Sequence, residues 1–213
     1  MFYCPYTDMT NYYYRANQAN SYIRILNASP NAPALDIYAN GNLIVKDLAY
    51  KEFSQYIPFP SGNYNIKVYP SGQIVNPIID TDINIPENTV FNVAVTGIFP
   101  NIILYAIQEP TTAQNFGRAC VRFINLSPNA PAVDIKLSDG TKVFRNVDFK
   151  GITDYACIPA GTYTFIINLA GTEDVVLTVP NINLEPNNYY TIYAVGLTGK
   201  SPSLEVIVAP EPR

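Results

Sequence analysis

Histidine and tryptophan are absent from the 213 residues. Without histidine there is no usual general base, no side chain that titrates near neutrality and none of the commonest metal ligand. Ser-His and Cys-His nucleophilic machinery is thereby excluded. Cysteine is scarce: Cys4, Cys120 and Cys157 form no CxxC pair and do not make a zinc site by themselves. Basic charge is thin as well. Thirteen Lys and Arg are scattered singly under a net charge of −4, so no stripe exists to neutralise phosphates, and neither nucleic acid nor an anionic membrane surface is an expected partner. No apolar run approaches the roughly 18 to 20 residues that span a bilayer, so membrane insertion is not expected. The first residues lack the basic start and apolar core of a secretory signal, and the expectation is a chain made without one.

What is present is apolar and repetitive. Hydrophobic residues are 48 % and charged ones 14 %, a composition that folds around a core. The length allows one large domain or two of about 100 residues. The stretch NASPNAP at 27–33 returns as NLSPNAP at 125–131, and residues 24–37 match 122–135 at ten of fourteen positions. With one inserted residue the register continues at an offset of 99, pairing Gly41 with Gly140, Tyr56 with Tyr155, Pro60 with Pro159, Gly62 with Gly161, Tyr64 with Tyr163 and Gly97 with Gly196. Two copies, 21–108 and 119–209, follow from this register.

Each copy is a series of short, turn-bounded runs: YIRILNA, ALDIYAN, NLIVKDL, NYNIKVYP, NTVFNVAVTG and NIILYAI answer to CVRFINL, AVDIKLS, TKVFRNV, TYTFIIN, NYYTIYAVG and SLEVIVA. Most alternate apolar with polar or aromatic residues, as a strand with one buried face must. Turn residues recur every 8 to 12 positions, which predicts two tandem antiparallel β-sandwiches, all-β, with about seven strands each.

The repeated heptad reads as a strand-to-strand corner. Asn27, Ser29 and Pro30, with Asn125, Ser127 and Pro128, combine side chains that bond nearby amides with prolines that stop a strand. Asp36 and Asp134, between apolar neighbours, are expected to accept amide bonds from that corner. Oxygen ligation of calcium is the alternative, but hard cations want several carboxylates and only one repeats. No cofactor or metal is expected. In PSGNY and PAGTY, Gly62 and Gly161 suit a turn, while Tyr64 and Tyr163 read as corner or core tyrosines, with sugar stacking as the alternative.

The pattern VRxxNxSPNAPxxDI followed by PAGTY resembles the bacterial family called domain of unknown function 4397, over about 180 residues. The resemblance implies tandem sandwiches of immunoglobulin-like or transthyretin-like type, a surface or secreted setting, and no known catalytic residues. The sequence lacks the signal and lipobox of many members.

Residues 1–20 belong to neither copy and hold five of the 17 tyrosines. They form either a tail or an arm that orders against a partner, with Cys4, Tyr12, Tyr13 and Tyr14 as the contact residues between chains. Cys120 and Cys157 are either a bonded pair within the second copy or free thiols. Residues 109–118 read as a linker too short for independent tumbling, and 210–213 as a tail. The acid pairs Asp80 with Asp82 and Glu173 with Asp174 occur in one copy each and read as solvated turns rather than a hydrolytic site. The expected protein is non-enzymatic: a structural or interaction component of a bacterial cell or spore surface, which self-associates or meets other surface proteins. A carbohydrate or cell-wall binding module is the alternative.

Overall fold

The computed structural model describes residues 20–110 and 117–211. They form sixteen strands and no helix: β1 Asn20–Asn27, β2 Leu35–Ala39, β3 Asn42–Leu48, β4 Ile57–Pro60, β5 Gly62–Pro70, β6 Ile79–Ile85, β7 Val90–Ile98 and β8 Asn101–Glu109 in the first copy. The second copy repeats them as β9 Arg118–Asn125, β10 Val133–Leu137, β11 Lys142–Val147, β12 Ala156–Pro159, β13 Gly161–Leu169, β14 Val175–Leu184, β15 Tyr189–Val195 and β16 Glu205–Pro210. Each copy thus has eight strands, in two four-stranded sheets ordered β4-β1-β7-β8 and β3-β2-β5-β6, then β12-β9-β15-β16 and β11-β10-β13-β14.

The short edge strands β4 and β12 and the outer strands β6 and β14 are the ones that the sequence pattern did not resolve. β4 is IPFP, with two prolines that suit an edge and little else. β6, IDTDINI, alternates cleanly, and it holds Asp80 and Asp82 on a strand rather than in a turn. Pairing is antiparallel except that β1 runs parallel to β7 and β9 parallel to β15.

The two sandwiches lie face to face, in four layers. Ile23, Ile25, Val95 and Ile102 of the first sheet close one core against Ile37, Ile66, Val68 and Ile85. Val121, Phe123, Ile192 and Ala194 close the second against Ile135, Phe165, Ile167 and Leu184. The opposite faces of β1, β7 and β8 meet those of β9, β15 and β16 in a third apolar cluster that includes Leu26, Ala28, Ala94, Ile107, Ile124, Leu126, Tyr193 and Val195. These central strands are therefore covered on both faces, and RIL in β1, VAV in β7 and RFI in β9 do not alternate as one-sided strands do.

Ala94 and Tyr193, equivalent at the offset of 99, both lie in this junction cluster. Tyr193 is wholly buried, with its ring 5.9 Å from that of Phe53. Its hydroxyl accepts the Asn92 Nδ2 donor at 2.6 Å. Thr96 Oγ1 donates to the Leu126 carbonyl at 3.0 Å, and Tyr105 hydroxyl to the Lys150 carbonyl at 2.5 Å. At the rim Lys51 meets Glu205 at 3.0 Å, an exposed pair worth little.

Candidate functional site

The repeated corner is built identically in both copies. Asn27 Oδ1 accepts the Ser29 N–H at 3.2 Å while its Nδ2 donates to the Leu48 carbonyl at 3.0 Å. Asn125 does the same with Ser127 at 3.1 Å and Val147 at 3.1 Å. Ser29 Oγ then donates to the Gly97 carbonyl at 2.9 Å and Ser127 Oγ to that of Gly196 at 2.8 Å. Both glycines have positive φ, 107° and 86°. A Cβ on Gly97 would sit 2.6 Å from the Asn101 carbonyl oxygen, and one on Gly196 would sit 2.2 Å from that of Ser203. Pro30 and Pro128 sit between these bonded residues and the exposed Asn31 and Asn129.

Asp36 and Asp134 do not reach this corner. Asp36 Oδ1 accepts the Asp47 N–H at 2.8 Å and Oδ2 the Gly72 N–H at 2.9 Å, tying the irregular β2–β3 pairing to the turn after β5. Asp134 accepts from Asn146 at 2.9 Å and Gly171 at 3.3 Å, with Lys142 at 3.4 Å. Burial raises the Asp36 carboxyl, yet the amides of Asp47 and Gly72 hold it below the usual range. The Asn146 amide does so for Asp134, against its burial. Each aspartate instead takes one amide from the irregular neighbouring strand, β3 or β11, and one from the turn after β5 or β13, away from the heptad.

The most strongly coupled group lies where the two sandwiches meet. Arg24 Nη2 pairs with Glu109 Oε1 at 2.9 Å, and the Tyr56 hydroxyl donates to Glu109 Oε2 at 2.6 Å. Arg24 also stacks over Phe53 and Tyr56, 4.5 and 4.8 Å from the ring centroids. In the second copy Arg122 Nη2 pairs with Glu211 at 2.6 Å, lies 4.9 Å from the Tyr155 centroid, and donates through Nε to Thr191 Oγ1 at 2.8 Å. The Tyr155 hydroxyl and Thr191 donate to Glu211 as well. Arg122 Nη1 crosses the junction to the Gln108 carbonyl at 2.9 Å. Burial pushes the Glu109 carboxyl upward against the pull of Tyr56 and Arg24. Burial, helped by Glu109 and Glu211, pushes both tyrosine hydroxyls far up, and it takes Tyr193 up to about 12.

This constellation was not singled out from sequence. In sequence Arg24 and Arg122 stand among the identities, but Glu109 reads as linker and Glu211 as tail. Glu109 closes β8, and Glu211 is buried at 7 % exposure. The signal was present as EP at 109–110 and EP at 211–212. A longer β15–β16 connection shifts that register from 99 to 102 and hides it.

The other marked residues fall apart in space. Asp80 and Asp82 both accept from Asn65 Nδ2, at 3.0 and 2.9 Å, on the exposed face of β5 and β6. Glu173 pairs with Lys136, and Asp174 bonds within its turn. Tyr64 and Tyr163 donate to the carbonyls of Pro60 and Pro159 at 2.9 and 2.7 Å. Cys120 and Cys157 form a disulfide between the paired strands β9 and β12. Cys4, Tyr12, Tyr13 and Tyr14 lie outside the described residues. An open cleft of about 600 Å3 runs along Val143–Asp148 and Gly151–Ala156 at one edge of the second sandwich.

Fold and repeated bonding together define a tandem all-β protein of two joined sandwiches. The chain belongs to the family described as Domain of unknown function (DUF4397), which matches residues 21–136 and 137–212. No curated protein matches it. Among solved structures it is similar to the Bacillus anthracis TIE protein, at 11 % identity and a TM-score of 0.27, over 84 % of this chain and 34 % of that one. The chain thus spans about a third of that structure. It is also similar to the family CBM26 module CBMbc of Eubacterium rectale Amy13K, solved with maltoheptaose, at 11 % identity and a TM-score of 0.28, over 91 % of this chain and 98 % of that one. A streptococcal virulence factor described for alpha-glucan binding matches at 13 % identity and a TM-score of 0.25, over 86 % and 95 % of the two chains. None of these likenesses carries a ligand over to this chain.

Proposed function

We propose that the protein is a non-enzymatic structural or interaction component of a bacterial cell or spore surface. Its two sandwiches act as one rigid body, and its N-terminal segment makes the contact that joins it to other copies or to other surface proteins. One observation carries this reading: the polar side chains that recur in both copies are used by the fold. Asn27 and Asn125, Ser29 and Ser127, Asp36 and Asp134, Arg24 and Arg122, and Tyr64 and Tyr163 all hold backbone or buried partners. Repetition has kept a scaffold, and a scaffold serves by shape. The disulfide fits an oxidising, extracellular setting.

The test is the native mass of the full chain beside Cys4→Ser and a form lacking residues 1–19, with and without reductant. Multimers that need the segment or Cys4 support the reading. Single chains in every form remove assembly through the segment.

A second reading, binding of carbohydrate or cell wall, is favoured by the open cleft of the second sandwich, where Arg145, Asn146, Asp148, Thr153 and Asp154 line a polar wall. The Tyr155 ring there is already covered by Arg122 and by Tyr189, 4.9 Å away edge-on, so sugar would meet hydrogen-bonding groups more than an open aromatic face. Retention on purified wall material that Arg145→Ala abolishes would favour this reading over the first.

A further inference from the structure

The first sandwich is open at one end where the second is shut. Between the outer strands β6 and β8 lies an apolar slot of about 140 Å3, walled by Ile23, Ile83, Phe91, Val93 and Leu104, with Asn84 and Pro86 also lining it. A dry apolar cavity of roughly 150 Å3 takes one benzene-sized ring. In the second sandwich Tyr190 and Ile192 stand where Phe91 and Val93 stand in the first, and they are 8 % and 1 % exposed, whereas Phe91 and Val93 are half-buried. The Tyr190 hydroxyl seals that end by accepting the Glu185 N–H at 3.0 Å.

The chain that enters each first strand crosses this same end. In the second copy the Gly117 N–H donates to Asn187 Oδ1 at 2.8 Å and the Asn187 N–H to the Arg118 carbonyl at 2.7 Å. In the first copy Asn88, equivalent to Asn187, has the same left-handed backbone, 54° against 62°. Ser21 Oγ donates to the Pro86 carbonyl at 2.5 Å and accepts the Thr89 N–H at 3.0 Å. Because Pro86 lines the slot, Ser21, near the start of the described chain, enters the sandwich beside its mouth.

We propose that this slot is the seat of the protein's own N-terminal segment, which places one ring of Tyr12, Tyr13 or Tyr14 in it. These residues lie six to eight positions before Asn20, a span of at most about 20 to 29 Å of chain, enough to turn back. Attachment gives the segment a high effective concentration at the mouth that a second copy lacks. A tyrosine suits the site because its ring meets aliphatic walls while its hydroxyl stays near Asn84 and solvent. The seat turns Tyr12–Tyr14 from a contact between chains into one within the chain, and leaves Cys4 and its neighbours for partners. It rests on the proposed function only in giving the segment a contact role.

The test places a photoreactive benzoylphenylalanine at the exposed rim residue Ala106 in the full chain and maps the products after irradiation. The expected product joins position 106 to residues 1–19 within a single-chain mass, and falls about tenfold when Tyr12, Tyr13 and Tyr14 are all changed to serine. Products that avoid residues 1–19, that reach them only in a two-chain species, or that survive the triple change overturn the proposal. Val93→Phe, which fills the slot, is expected to speed protease cleavage within residues 1–19 several-fold; an unchanged rate in a folded Val93→Phe protein also overturns it. Because these readouts lie within one chain, failure of multimers to form leaves the seat standing, and failure of the seat leaves the native-mass test of assembly intact.

Discussion

Arg24 and Glu109 meet at 2.9 Å although 85 residues separate them, and the glutamate side chain is wholly buried. The pair joins the first strand of a sandwich to its last, on the face that meets the other sandwich. A buried pair broken on one side leaves an uncompensated charge, at a cost of about 3 to 5 kcal/mol. Arg24→Met, which leaves the buried Glu109 carboxylate without its cation, is therefore expected to lower stability to denaturant by an amount in that range. The double change Arg24→Met with Glu109→Gln should recover much of it, because both charges go together. A loss below about 1 kcal/mol for Arg24→Met, read from urea unfolding, would show the pair to be solvated.

Corner bonding predicts a matched effect in the two copies. Asn27→Ala strands the Ser29 amide and the Leu48 carbonyl, both inside the fold, and Asn125→Ala strands their counterparts. Leaving buried groups unpaired costs about 1 to 3 kcal/mol each. Similar losses in the two variants are expected from thermal unfolding. An effect in one copy alone would mean that the repeated heptad is structural only there.

Stability toward acid should depend on Asp36 and Asp134. Both carboxyls are held below their ordinary value of 3.8, so each contributes stability that is present above that value and is lost as pH falls through the lower folded value. Asp36→Asn and Asp134→Asn are expected to flatten the decline below about pH 4 in a stability profile. Glu109 acts in the opposite sense. Its raised value means that its contribution is complete below the ordinary 4.5 and is lost as pH rises through the folded value. An acid limb that both aspartate variants leave unchanged would sink this assignment.

The disulfide bounds a loop of 37 residues. Chain-entropy reasoning gives such a closure roughly 4 kcal/mol. Reduction, or Cys120→Ala with Cys157→Ala, should lower the unfolding midpoint of the protein by several degrees. A midpoint insensitive to reductant in the native protein would show that the cysteines are not bonded.

The sequence displayed the repeat, the corner and most strands because each depends on residues near one another in the chain: Asn27 bonds Ser29, and Tyr64 bonds Pro60. It concealed what depends on register between distant segments. Glu109 and Glu211 looked like a linker and a tail because an insertion before β16 broke the offset that would have matched them to Arg24 and Arg122. Asp36 was legible as a buried acceptor, but its true donors, at Asp47 and Gly72, become neighbours only once β3 and β5 flank β2. The joined faces leave a trace in sequence: β1 and β9 lack alternation because they are covered on both sides.

That joined face makes the last prediction. Leu26, Leu126 and Tyr193 bury against one another's neighbours between the sandwiches, with no exposure among the three. Two domains that share a core of this kind unfold together, so one cooperative calorimetric transition is expected for the native chain. Leu126→Asp puts an unpaired charge at the junction and outside either sandwich's own core. It should split the transition in two, with each sandwich melting at its own temperature and with most strand signal retained at the first step. Two transitions in the native protein would mean that the faces touch without coupling. A single transition in Leu126→Asp, simply moved down by many degrees, would mean that neither sandwich holds without the other.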